Sequence, residues 1–284
     1  MSSVAALAAL HAAVALFGLA GLFGKLLELS PLAIVLGRTL VAAVALGAFA
    51  LVRREPLGRL DAAMLLNGAI LALHWVTFFL AIQIASVAIG LLGFAGFPLF
   101  TLALERRGRL RGVTGPEWAT VVLVVAGFAL LVPHPSLADR NVQGLALGAL
   151  SGLTFAWLAV RNRALVAQRS AIGLAFWQNA WAATWLVVAV VPIASTLQAP
   201  SLTELGALVT LGALCTALAH TLFIASMRRL SAHTASVVAA LEPIYGIAFA
   251  ALLLDEIPGL REVAAAALLL AAAVLVMRRA VVLP

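Results

Sequence analysis

Polar residues are sparse enough along this chain to act as punctuation between apolar runs. Ten runs stand out: Val4–Gly24, Pro31–Val52, Ala62–Ile82, Ser86–Leu104, Thr114–Val132, Gly144–Val160, Ile172–Ile193, Leu205–Met227, His233–Leu254 and Gly259–Met277. They are continuous and Ala/Leu-rich, without period-two alternation, so the pattern predicts helices and not barrel strands. Each approaches the roughly 20 residues a helix needs to cross about 30 Å of hydrocarbon. Two boundaries follow from length. Ala62 to Leu104 is 43 residues, which as one helix would run about 65 Å; a tight turn near Gln83–Ser86 divides it. The stretch from Leu205 to Leu254 is divided at Arg228, Arg229 and Ser231.

Composition names the solvent. The 284 residues are 64% hydrophobic and 10% charged, with a mean hydropathy of +1.15. A soluble domain is roughly 45–50% apolar and about 25% charged. Too little charge, no glycine repeat and a single cysteine, Cys215, exclude disordered, collagenous and disulfide-stapled classes. The expected fold class is all-α: a polytopic membrane protein of ten transmembrane helices.

Net charge is +7, which in a soluble protein would suggest nucleic acid. The distribution says otherwise. Of 18 Lys and Arg residues, 14 follow the second, fourth, sixth or eighth span or the last one: Arg53, Arg54, Arg59; Arg106, Arg107, Arg109, Arg111; Arg161, Arg163, Arg169; Arg228, Arg229; Arg278, Arg279. The opposite loops hold Lys25, Arg140 and Arg261, and Arg38 lies inside a span. The positive-inside rule puts the 14 in the cytoplasm, with both termini. Anionic headgroups suffice as counter-charges, so no nucleic-acid partner is expected. No cation precedes the first run, so no signal peptide is expected.

The chain resembles itself at long range. A shift of 140 residues places Ser30 on Ser170, Arg38 on Gln178 and Phe17 on Trp157; a shift of 145 places Pro98 on Pro243 and Glu117 on Glu262. This predicts two units, residues 1–137 and 138–284, of five spans each. An odd number of spans inverts one unit against the other, an architecture that puts substrate in a central midplane cavity between the halves.

The stretch ALFGLAGLFGKLLELSP, from Ala15 to Pro31, resembles the opening of an EamA-type repeat: an aromatic-Gly helix, then a Ser-Pro turn with an arginine, Arg38, in the next helix. ASVVAALEPIYGIAFAALLLDE, from Ala235 to Glu256, resembles that family's fourth-helix signature. The chain thus resembles the drug/metabolite transporter superfamily, and within it YddG-type exporters of amino acids and related metabolites. The resemblance implies alternating-access export of amino acids, aromatic ones among them, from a bacterial-type inner membrane. In the first half the helix-end glutamate is missing or displaced to Glu105, and Phe97-Pro98 stands where the second half has Glu242-Pro243.

Ionisable groups at mid-membrane are costly and face the bundle interior. His74, beside Trp75 and Phe78, is a candidate substrate ligand or proton carrier; the alternative is a neutral imidazole bonded to a nearby carbonyl. Glu242 is a candidate for a substrate ammonium or a proton, or for bonding the carbonyl freed near residue 239 by Pro243. Arg38 suits a substrate carboxylate or a structural tie across the bundle. His11 and His220 lie nearer the span ends and suit packing or gating. Trp177, Trp181 and Trp185 stripe one helix face. A cavity lined by Trp157, Phe78 and Trp177, with Gln178 beside it, suits amino acids and flat organic cations through stacking. Gly144, Gly148 and Gly152 form a close-packing stripe. Pro98 and Pro243 are candidate gating hinges.

No HExxH, GxSxG, Walker A or Rossmann fingerprint occurs, so no metal or cofactor is expected. His134 and Asp139 match the acyltransferase spacing His-x4-Asp, which leaves a membrane-embedded enzyme as the rival class. With both halves in one chain, a monomer suffices for transport.

Overall fold

The computed structural model describes residues 2–58, 62–106, 115–131 and 136–280. His134, Arg59, Arg107, Arg109 and Arg111 lie outside the described residues, as do the side chains of Glu117, Arg278 and Arg279. The first half runs α1 (Ser3–Leu26), α2 (Pro31–Arg53), α3 (Ala62–Ile84), α4 (Val87–Phe94), α5 (Phe97–Glu105) and α6 (Gly115–Leu131). The second runs α7 (Arg140–Leu165), α8 (Ala171–Val190), α9 (Leu202–Gly212), α10 (Ala219–Ser226), α11 (Ala232–Ala239), α12 (Glu242–Leu253) and α13 (Leu260–Ala280). The protein is an all-α polytopic membrane protein. Among the described residues, eight helical stretches are long and apolar enough to span a membrane, and α6 and α13 complete the ten spans.

Serine starts these helices. Ser30, Ser86, Ser170, Ser201 and Ser231 accept backbone N–H groups at the N-caps of α2, α4, α8, α9 and α11. Each satisfies a donor that would otherwise be orphaned. The caps at Ser30 and Ser170 sit 140 residues apart, and those at Ser86 and Ser231 sit 145 apart.

The fourth and ninth spans are each broken in two. The fourth breaks at Ala95 and Gly96, before Pro98 in the first turn of α5; the ninth breaks at Ala240 and Leu241, before Pro243 in the first turn of α12. A proline has no N–H for the carbonyl four residues back and its ring crowds that carbonyl, so an α-helix cannot run through unaltered. In the eighth span a π-helical segment, Ala213–Leu218, joins α9 to α10.

Around the centre, α3 packs along α7 and α8, α2 along α8 and α9, α1 along α10 and α12, and α4 and α5 along α7. The pair α6 and α13 packs together at the periphery. Close approach of α4 to α7 depends on the glycine stripe. A Cβ on Gly148 would meet the Gly90 carbonyl oxygen at 2.8 Å, and one on Gly152 would meet the Phe94 oxygen at 2.8 Å. Such contacts bring helix backbones together where lipid gives no hydrophobic drive. Outward faces are apolar: Val44 is 71% exposed and Leu252 78%. In water this would be a liability, while in hydrocarbon it is the expected surface.

Candidate functional site

At the centre of the bundle, Phe17, Ala20, Arg38, His74, Trp75, Phe78, Phe94, Phe155, His220 and Glu242 surround a small cavity. Seven spans contribute: α1, α2, α3, α4, α7 and the eighth and ninth spans. The cavity holds about 20 Å³, room for one or two waters and none for an amino acid. This conformation is therefore closed around the site.

Phe155 is the hub of the closure. Its ring centroid lies 4.7 Å from His74, 5.6 Å from Phe94, 5.0 Å from Phe97 and 5.0 Å from Phe223. Phe17 meets it edge-on at 6.1 Å. These separations are the offset and edge arrangements that aromatic quadrupoles favour.

Arg38 is 1% exposed. Its Nε donates to Thr216 Oγ1 at 2.8 Å, and a terminal nitrogen donates to the Cys215 carbonyl at 3.3 Å. Both acceptors lie in the π-helical segment. There Thr216 Oγ1 donates to Leu211 O, five residues back, at 2.7 Å. The guanidinium also lies 4.1 Å from the Trp75 ring centroid and 5.3 Å from that of Phe79, a desolvated cation–π sandwich. Arg38 is thus a tie across the bundle and part of the cavity wall at once.

His74 is bound in a similar double fashion. Its Nδ1 lies 2.8 Å from Ser151 Oγ and 3.0 Å from Ser151 O on α7, while the ring lines the cavity. Glu242, 3% exposed, opens α12 at the break and faces the same cavity as Arg38.

Of the side chains selected from sequence, Arg38, His74, Phe78 and Glu242 meet at the cavity. Trp157, Trp177 and Gln178 lie outside its lining. Trp157 stacks on Arg161 at 4.7 Å, and Trp177 Nε1 donates to Leu57 O at 3.1 Å. Gln178 Nε2 donates to Asn162 Oδ1 at 2.5 Å, fully buried between α7 and α8. Pro98 and Pro243 sit just past the two helix breaks. His220, expected near a span end, lines the cavity, with its ring 5.9 Å from Trp75. His11 is half-buried on α1.

Ala20, Phe94 and Phe155 are lining residues that sequence reasoning passed over, and His220 is one it assigned to packing or gating. For His220 a signal existed: it stands 146 residues after His74, close to the shift that pairs the prolines. Of the acyltransferase pair, Asp139 is spent capping α7, its Oδ1 accepting Asn141 N at 2.7 Å. Among the described residues no cluster of His, Cys, Asp and Glu suits a metal. A wider hollow on the arginine-bearing face is lined by Arg163, Arg169, Arg228 and Arg229.

Comparison with known proteins bears on both fold and family. A solved structure described only as the crystal structure of a protein aligns over 98% of this chain and 99% of its own, with a TM-score of 0.75 and 18% identity. At that identity the likeness carries the fold alone. No curated protein sequence matches. Residues 142–278, α7 to α13, match the EamA-like transporter family. Over that second half, the chain is similar to the EamA-like transporter family.

Proposed function

We propose that this transporter exports amino acids, aromatic ones among them, and related small metabolites through the central cavity, by alternating access. The observation that carries the reading is a guanidinium, Arg38, and a carboxyl group, Glu242, facing one aromatic-lined cavity. A zwitterion presents one group of each sign, and an aromatic side chain suits the faces of Phe78, Phe94 and Phe155. His74 and His220 add polar ring atoms to the wall. A flat organic cation would use the aromatic faces and Glu242 but has no use for Arg38.

Two inverted five-span units, residues 1–137 and 138–284, fit the packing. Exchanging the units maps the α3–α7 contact onto α10–α1, and α5–α7 onto α12–α1. The α2–α8 and α6–α13 contacts map onto themselves, and α4–α12 maps onto α11–α5. The paired breaks at Pro98 and Pro243 are the positions where rocking of the halves would bend a span. We assign the arginine-bearing face and both termini to the cytoplasmic side of an inner membrane on the positive-inside rule. One chain holds both units, so a monomer suffices.

Counterflow into proteoliposomes tests the substrate class. Labelled phenylalanine, tryptophan, alanine and a flat organic cation are offered against each unlabelled compound. Saturable flux of the aromatic amino acids, inhibited by unlabelled tryptophan, is expected. Absence of saturable flux for every amino acid would overturn the reading, and flux of the cation alone would replace it.

A further inference from the structure

Beneath the cavity, toward the arginine-bearing face, lies a set of buried polar groups whose bonding is incomplete. Asn67 on α3, Asn162 on α7 and Gln178 on α8 are each 0% exposed. Yet Asn67 Nδ2, Asn162 Nδ2 and Gln178 Oε1 have no hydrogen-bond partner. Leaving such an atom unpaired costs about 1–3 kcal/mol, so three together call for a reason. Exchanging both amides of the Asn162–Gln178 pair would reverse its bond and still leave two atoms unpaired.

The bonds that do form tie helices together. Gln178 Nε2 donates to Asn162 Oδ1 at 2.5 Å and links α8 to α7. Arg161 Nε donates to Asn67 Oδ1 at 3.0 Å and links α7 to α3. Asn67 precedes His74 by seven residues and Asn162 follows Phe155 by seven. Seven residues are two turns, so each lies on the same helix face as its cavity residue, about 10 Å away. The helices α3 and α7 are antiparallel, since His74 meets Ser151 while Asn67 meets Arg161. Both polar levels therefore coincide below the cavity. Underbonded atoms continue up to its wall: Asn179 Oδ1 and His220 Nε2 also lack partners.

The opposite side differs. Arg38 is the eighth residue of α2 and Gln178 the eighth of α8. The two helices start from opposite faces, so the two residues sit at matching depths. Arg38 is tied to Thr216 and the Cys215 carbonyl, with none of its atoms among the buried unpaired ones.

We infer that Asn67, Arg161, Asn162 and Gln178 form the gate that closes the cavity toward the arginine-bearing face, and that this gate opens more readily than the Arg38 side. Opening admits water to the unpaired amides and recovers the free energy that closure withholds from them. Two hydrogen bonds hold it shut, few enough to break in each cycle. The inference rests on the alternating-access part of the proposed function and is independent of the substrate.

The test therefore uses no substrate. In reconstituted protein carrying Cys215→Ala, a thiol is placed by Ala159→Cys, four residues beyond Phe155 and three before Asn162 on the buried face of α7. A membrane-impermeant maleimide is applied from one face at a time. Adding Gln178→Ala should raise labelling from the arginine-bearing face about fivefold or more, the worth of one hydrogen bond, with the opposite face unchanged. Asn67→Ser, which breaks the other tie, should do the same and stands in if Gln178→Ala does not fold. Unchanged rates, or a rise from both faces alike, would overturn the gate. Loss of amino-acid flux in the wild type, by contrast, would overturn the substrate reading and leave this result standing.

Discussion

Arg38→Met is expected to lower aromatic amino-acid counterflow about tenfold or more, a loss of roughly 1.4 kcal/mol in the transport barrier. The purified protein should still melt cooperatively, within a few degrees of wild type. The two halves of this expectation have different origins. Stability survives because a buried charge carries a large desolvation cost, so an apolar side chain of similar length is often neutral in its place. Methionine also keeps contact with the Trp75 and Phe79 rings that the guanidinium covers. Transport fails because the cavity loses its cation. Arg38→Lys is expected to fail nearly as badly. Lysine is a compact point charge without the planar fork that bonds Thr216 and the Cys215 carbonyl while lying on an indole face. Full flux in Arg38→Met would reduce the residue to a structural tie.

Gly148→Leu is expected to abolish folding, read as loss of the monodisperse peak in detergent. A Cβ on Gly148 would lie 2.8 Å from Gly90 O and 3.0 Å from Gly93 Cα, both backbone atoms of the facing helix α4. A flexible side chain could turn away, but a helix backbone moves only as a whole. Separating α4 from α7 also disturbs Phe94, which meets Phe155 across the same seam. Gly148→Ala should fold with a lowered melting temperature, consistent with an overpacking cost of about 1–3 kcal/mol. The control is Gly206→Ala on α9, where nothing lies within 4 Å of the new Cβ. There, replacing glycine in a helix should raise stability by up to about 1 kcal/mol.

Much of the fold is legible because lipid imposes a simple rule: a long apolar run must satisfy its backbone internally. The ten runs and their serine starts follow from it. The helix breaks are harder to read. Apolar periodicity is blind to a two-residue interruption such as Ala95–Gly96, and the π-helical segment at Ala213–Leu218 leaves no mark in hydropathy. The site divides along the same line. Depth along a span is readable, and it singled out Arg38, His74 and Glu242, which meet at one cavity. Direction around a helix is not, because a span apolar on every side carries no stripe to mark its inner face. Trp157 and Phe155 illustrate this: two residues apart, they project about 200° from each other. Phe155 holds the centre, while Trp157 covers Arg161. Gln178 stands out in the sequence for its polarity, and its bond to Asn162 puts it in the wall below the cavity.

Photolabelling tests most directly the claim that substrate occupies the central cavity. Reconstituted protein is irradiated with a diazirine-bearing phenylalanine, and adducts are mapped by mass spectrometry with and without excess unlabelled phenylalanine. The account predicts adducts in the α3 peptide containing His74 and Phe78 and in the α7 peptide containing Phe155, both suppressed by the competitor. Competed adducts confined to other segments, such as the hollow around Arg228 and Arg229, with none at the cavity, would contradict it.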